Sequence, residues 1–342
     1  MLGATNVNWT FRSGGGDAEY MELEGIFVPL VTPFAADGSV DLAALDGLAR
    51  RVLDEGAAGL VALGTTGEPA TLTGAERAAV VATCREAAAV YGAPLLVGVG
   101  DSSTAATVEA VRHVRGDAAM VVVPPYTRPG AAGVLAHLRA VAAASPLPVV
   151  VYHVPYRTGQ PLDVDTLLAV AAIPGVAGMK LSDGPVSGDT VTLLGALPAG
   201  FAVLGGDDTV IGPLLAIGAA GGILASAHVA TDRFVALARA WREGDVATAR
   251  RLGSALAALS AALFAEPNPA VIKAVLHAAG RIPTPDVRLP LLPASRAALT
   301  NAEAAFAALQ HIPDGSTSLP RWHVRGIPGG GTGRTVDVVT KR

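Results

Sequence analysis

Two kinds of segment alternate along this chain. Short runs of apolar residues occupy 25–31, 59–64, 94–100, 118–124, 147–154, 175–181, 201–206 and 221–226. Runs of this length, apolar at successive positions, read as strands covered on both faces. Between them, apolar residues recur at helical spacing in Ala-rich stretches at 41–56, 74–92, 103–116, 130–145, 163–173, 187–197 and 207–221, and an eighth stretch, 231–244, follows the last run. Strand and helix in strict alternation predict parallel strands joined by crossover helices. Eight such units in roughly 220 residues match an α/β TIM (β/α)8 barrel. A doubly wound sheet is the competing arrangement, but its Gly-rich phosphate turn is missing. The first run leads into "VTPFAADGSVD", and "GVGDSS" at 98–103 lacks the third glycine.

Helical patterns continue past the eighth run at 246–266, 268–280 and 293–310, which predicts a C-terminal helical appendage suited to oligomerisation. Both ends differ from the body, with "SGGGD" near the start and "DGSTSLP" and "GIPGGGTGR" near the finish. The expected organisation is a flexible tail over 1–21 and a barrel core over 22–230. The last barrel helix with the C-terminal helices follows over 231–312, and a second flexible tail over 313–342.

Composition narrows the functional classes. With 51% hydrophobic and 16% charged residues, the chain can build a large core and does not read as disordered. A net charge of -4 gives no basic footprint for nucleic acid. No apolar run is long and uninterrupted enough to span a bilayer, and the first twenty residues lack the apolar core of a signal peptide. A single cysteine, Cys84, rules out an internal disulfide and reads as a small buried hydrophobe. A cytoplasmic protein that binds neither nucleic acid nor membrane is expected.

Lysine is rare. Among 25 Lys plus Arg, lysine stands only at Lys180, Lys273 and Lys341. Lys180 closes an apolar run, "GVAGMKL", where a buried strand would end. Active sites of TIM barrels lie at the C-terminal ends of the strands. Those ends carry Thr65, Thr66 and Glu68 after the second run, and Tyr126 and Arg128 after the fourth. Tyr152, His153, Arg157 and Thr158 follow the fifth, Lys180, Ser182 and Asp183 the sixth, and Gly206, Asp207 and Asp208 the seventh. Tyr152 and Lys180 end neighbouring strands and face the barrel mouth. Partial loss of hydration favours a neutral amine, which attacks carbonyls and forms a Schiff base. A nearby tyrosine can move the protons that this requires. Arg157 offers a fork for a carboxylate, and the paired threonines can hold a second. Together these residues predict class I aldolase chemistry on a 2-oxo acid.

Singly, each residue has a plainer explanation. Tyr152 fits a strand-end aromatic, Arg157 a salt-bridged loop residue, and "GTTGE" a turn with a helix cap. Asp207 and Asp208 fit caps of the helix that follows. His153 fits a hydrogen-bonded structural residue, and the seven histidines show no metal spacing.

The strings "GTTGEPATL" (64–72), "PPYTRP" (124–129), "YHVPYRTG" (152–159), "GMK" (178–180), "GGDD" (205–208) and "FAEPNP" (264–269) occur in this order. In them the chain resembles the dihydrodipicolinate synthase / N-acetylneuraminate lyase family of pyruvate-dependent aldolases, over about residues 23 to 300. The resemblance implies that Lys180 forms the Schiff base with pyruvate and that Tyr152 relays protons and contacts the bound pyruvate. It implies that Thr65 links two relay tyrosines, that Tyr126 is the second of them, and that Thr66 holds the pyruvate carboxylate. Gly206 and Ile223 match pocket-lining positions. Arg157 matches the synthase branch, where an arginine receives the carboxylate of aspartate 4-semialdehyde. In the family a tyrosine crosses a dimer interface to complete the relay; Tyr126 and Pro125 both stand in that region. A homodimer or homotetramer is implied, as are small-molecule substrates and no metal or organic cofactor.

The chain also departs from the pattern. "LSDG" follows Lys180 where synthases have an acidic residue, a small pair and glycine. His153 replaces the common Asn, Pro125 a frequent second tyrosine, and "DSST" at 101–104 the usual Asn. Little of the lysine feedback site, near these positions and near Gly74, Arg77 and Ala106, is recognisable. The expected reaction is condensation of pyruvate with aspartate 4-semialdehyde to 4-hydroxy-tetrahydrodipicolinate. The alternatives are a paralogue acting on another 2-oxo acid, such as a 2-keto-3-deoxy sugar acid or N-acetylneuraminate, and a non-catalytic metabolite-binding member.

Overall fold

In the computed structural model, eight parallel strands close into a barrel: β1 (Gly25–Pro29), β2 (Gly59–Ala62), β3 (Leu95–Val99), β4 (Ala118–Val122), β5 (Val149–His153), β6 (Val176–Leu181), β7 (Ala202–Gly205) and β8 (Gly221–Ile223), each hydrogen-bonded to the next and β8 to β1. The structure describes residues 12–13, 19–20 and 23–312. Arg12–Ser13 pairs antiparallel with Glu19–Tyr20 in the segment expected as the first tail. The remainder of that tail, and the second tail at 313–342, lie outside the described residues.

The uninterrupted apolar runs follow from two buried faces. Phe27, Leu96, Val150 and Leu204 point into the barrel, while Ile26, Val28, Leu95, Val97, Val149 and Val151 point outward under the helices. Successive strand residues face opposite sides, so a strand with both sides covered reads as continuous hydrophobicity.

The jacket of helices comprises α1 (Leu42–Asp54), α2 (Gly74–Tyr91), α3 (Thr104–Arg112), α4 (Gly130–Ala144), α5 (Val164–Ala171), α6 (Gly188–Ala196), α7 (Ile211–Ala216) and α8 (Ala227–Glu243). Local sequence sets their starts. The side chains of Asp41, Ser103 and Asp163 accept backbone N–H bonds at their helix N-termini. Thr73 and Glu76 form a reciprocal capping box on α2, which ends on Gly92 in the left-handed region at φ 62°. Helix α8 is broken at Ala230. Beyond it, α9 (Val246–Leu263), α10 (Ala270–Ala278) and α11 (Arg296–Gln310) form the C-terminal helical region, with α9 packed on α8 and α11. Cys84 is fully buried in α2, and burial pushes its thiol up to about 12. No helix among the described residues is long and apolar enough to cross a membrane.

Candidate active site

Strand pairing brings Tyr152 and Lys180 together. They are register partners on β5 and β6, so both side chains leave the sheet on the same, inner face. Tyr152 extends the inner cluster of Val150 and Leu204 to the mouth of the barrel. Lys180 is buried, and its Nζ lies 4.2 Å from the centroid of the Tyr152 ring. An ammonium is attracted to that face.

Glycine makes room for the lysine. A Cβ on Gly206 would overlap Ser182 Oγ and lie 2.7 Å from Lys180 Cε. Any side chain here displaces the stem that carries the amine, so Gly206 shapes the pocket by leaving space. Ser182 Oγ is itself buried and has no hydrogen-bond partner among the described residues. Ile223 closes the inner cluster from β8 and is 1% exposed.

The two aspartates after β7 brace loops and do not cap the following helix as expected. Asp207 Oδ2 accepts the N–H of Gly184 at 2.7 Å, which fastens the loop after Lys180. Asp208 Oδ2 accepts the N–H of Ser226 at 2.6 Å, which ties β7 to the turn after β8. Burial raises both carboxyls, Asp208 to about 6.

The threonine pair sits in a single 3-10 turn, Thr65–Gly67, bracketed by Leu63 and Glu68 at positive φ of 55° and 54°. Thr66 is buried, and its Oγ1 accepts a hydrogen bond from Asn268 Nδ2 at 3.0 Å. Glu68 does not face the mouth. It runs beneath the turn to Lys273, with Oε1 2.6 Å from Nζ, both side chains fully buried. Glu68 Oε2 also accepts the N–H of Arg288 at 2.9 Å, while Lys273 Nζ donates to Asp286 O at 2.7 Å and lies 4.0 Å from the Phe34 ring centroid. Burial pushes the Lys273 ammonium down to about 8, against the pull of Glu68. The C-terminal helical region thus clamps the Thr65–Gly67 turn from outside the barrel.

Other candidates stand apart. Arg157 lies in a single helical turn, Pro155–Thr158, where its Nε donates to Tyr156 OH at 3.0 Å and its guanidinium stacks 5.1 Å from that ring. It makes no ion pair among the described residues, so the salt-bridge explanation fails and the fork stays available. Tyr126 is 90% exposed at φ 69° and is not drawn into the mouth of its own protomer. Its loop is fixed nonetheless: Tyr126 N–H donates to Thr158 O at 3.1 Å and Arg128 Nε to Gly159 O at 2.6 Å. His153 is buried, but neither ring nitrogen has a hydrogen-bond partner among the described residues, and Asp183 Oδ1 is 3.8 Å away. The expectation of a hydrogen-bonded structural histidine is corrected: burial holds the ring neutral, down to about 4.

The Dihydrodipicolinate synthetase family model matches residues 22–309. The chain belongs to this family. The match takes in every candidate residue and the C-terminal helical region as far as residue 309. A relative in Moorella thermoacetica, named 4-hydroxy-tetrahydrodipicolinate synthase, is 41% identical over 281 residues, 81% of this chain and 94% of its own. The solved dihydrodipicolinate synthase of Thermotoga maritima superposes with TM-score 0.81 at 30% identity, covering 84% of this chain and 99% of that one. The dihydrodipicolinate synthase of Acinetobacter baumannii, complexed with pyruvate, gives TM-score 0.80 at 33% identity over 84% and 99%.

Glu68 was legible at a strand end and Asn268 within "FAEPNP", but that Glu68 meets Lys273 and Arg288, and Asn268 meets Thr66, was not. One signal was present: Lys273 is one of only three lysines, as Lys180 is.

Proposed function

We propose that this chain condenses pyruvate with aspartate 4-semialdehyde to give 4-hydroxy-tetrahydrodipicolinate. The observation that carries the reading is Lys180, buried at a strand end with its Nζ over the Tyr152 ring. The amine adds to C2 of pyruvate, and loss of water leaves an iminium that draws electrons from C3. Tyr152, in contact with the amine, moves the protons of addition and dehydration, with Thr65 linking it to a second tyrosine, Tyr126. The buried hydroxyl of Thr66 holds the pyruvate carboxylate, and Asn268 fixes its orientation. Loss of a C3 proton gives an enamine, whose C3 bonds to the aldehyde carbon. The amine of the semialdehyde then displaces Lys180 from C2 and closes a six-membered ring. Lysine serves as the electron sink, so the scheme calls on no metal or organic cofactor. Gly206 and Ile223 shape the cavity.

Sodium borohydride added with pyruvate is expected to leave a reduced adduct on Lys180, found by peptide mass spectrometry. Rates of condensation with the semialdehyde are expected to exceed cleavage of 2-keto-3-deoxy sugar acids and of N-acetylneuraminate. A higher kcat/KM for one of those acids would overturn the choice of substrate while leaving the Schiff base intact.

Arg157 receives the carboxylate of the semialdehyde. Losing a charge-assisted bond of about 1.5–3 kcal/mol, Arg157→Ala is expected to raise the KM for the aldehyde about 10- to 100-fold. The KM for pyruvate should move little. Steady-state kinetics with each substrate varied in turn distinguishes these; the reverse pattern would refute the role.

The working assembly is at least a homodimer, within a homodimer or homotetramer. Tyr126, exposed on a fastened loop, reaches the site of a second copy and completes its relay. Co-expressed Tyr126→Ala and Lys180→Ala chains, each inactive alone, should regain part of the activity in mixed dimers. Absence of any recovery in a hybrid isolated by two tags would exclude a shared site.

A further inference from the structure

Helix α1 packs on α2, and α3 packs on α4. Between α2 and α3, over the outer face of the barrel, lies a cavity of about 360 Å³. Its floor is Leu63 with Val97 and Val99 of β3, and Val81 and Val114 wall it from either side. Val97, Val81 and Val114 are themselves buried, and the volume suits a small ligand.

Charge at the edge is one-sided. Arg77, Arg85 and Arg115 line the opening, and none makes an ion pair among the described residues. The nearest helix carboxylate from α3, Glu109, is already engaged by Arg112 at 3.6 Å and His113 at 2.9 Å. Apolar walls with a guanidinium rim fit a molecule with an apolar body and one anionic end.

The cavity also touches the catalytic turn at two points. Leu63, its floor, holds a positive φ of 55° and leads through Gly64 into Thr65 and Thr66. Its carbonyl presses on Gly98, where a Cβ could not be accommodated. Arg77, on its rim, donates Nε to Pro69 O at 3.0 Å and so holds the turn that follows Glu68. A ligand seated here bears on both ends of the segment that positions Thr65 and Thr66.

We propose that the α2–α3 cavity binds a small amphipathic carboxylate, apolar body on Leu63 and Val97 and carboxylate on Arg85 and Arg115, and that its occupancy is coupled to pyruvate binding through the Thr65–Thr66 turn. The binding site stands independently of the proposed reaction; only the coupling rests on that reading.

Octanoate is the probe, titrated calorimetrically into the full chain, with octanol and octylammonium as controls. Octanoate should bind with a defined stoichiometry, and the controls much more weakly. Arg85→Ala combined with Arg115→Ala, both exposed positions outside the catalytic machinery, should weaken octanoate about tenfold or more at unchanged thermal midpoint and molecular mass. Saturating octanoate should shift the affinity for pyruvate by a finite, limiting factor, and pyruvate should shift that for octanoate equally. Four results would overturn the proposal: no binding, octanol binding as well as octanoate, binding unchanged in the double variant, or an unlimited rise in apparent pyruvate Kd that marks competition at Lys180. A fall in molecular mass in the double variant would assign the surface to contact between copies and also overturn it. Calorimetry needs no turnover, so failure here leaves the reaction assigned to Lys180 unaffected.

Discussion

Lys180→Ala is expected to lower turnover by at least about 10⁴-fold, the scale seen when an enzyme loses its covalent nucleophile. The amine is the atom that bonds to pyruvate, and among the described residues no other lysine reaches the mouth: Lys273 is fully buried against Glu68. Lys180→Arg should be equally inactive, because a guanidinium keeps the positive charge over Tyr152 but forms no Schiff base. The pair of variants separates covalent chemistry from electrostatics. Both should fold, since the changed atoms lie at the open end of the barrel. The readouts are kcat, the borohydride-trapped adduct and the thermal midpoint. Near-normal kinetics in either variant at an unchanged midpoint would end the Schiff-base mechanism.

Lys273→Met is expected to have the largest effect on stability. It leaves the buried Glu68 carboxyl without its partner, at a cost of about 3–5 kcal/mol. The two side chains are fully buried, so solvent screening does not reduce this. Combining it with Glu68→Leu removes both charges and should recover part of the loss. Recovery stays partial because Arg288 N–H and Asp286 O then lack their partners. The clamp also sets the turn that carries Thr66, so the single variant should raise the KM for pyruvate even well below its melting temperature. Denaturant midpoints and pyruvate kinetics for the three variants test this. A single variant within about 1 kcal/mol of the parent would show that the pair is not the anchor.

Much of this site could be read along the chain. Tyr152 and Lys180 each end an uninterrupted apolar run, and two such runs side by side in a barrel put their last inward residues at one mouth. That inference needs only the alternation of side chains along a strand and the rule that the site lies at the strand ends. Thr65, Thr66, Arg157 and Gly206 followed by the same logic. The roles of Asp207, Asp208, His153 and Glu68 did not. A carboxylate just before a helix has the same local pattern whether it caps that helix or accepts from a distant loop, and Asp207 and Asp208 accept from Gly184 and Ser226. His153 carries no mark of its lost hydrogen bonds, because what surrounds it comes from other strands and helices.

By itself, then, the sequence determined the alternation of strands and helices, the order of the barrel and the identity of the amine at its mouth. These depend on the periodicity of burial and on the chemistry of single side chains, which are local properties. Only the tertiary structure decided which side chains meet across long separations. Glu68 finds Lys273, Asn268 finds Thr66, and Gly206 leaves space for the stem of Lys180. It also left the cavity between α2 and α3. The physical reason is the same throughout: a contact between residues some two hundred positions apart is set by how the elements close around the core, and no local pattern records it.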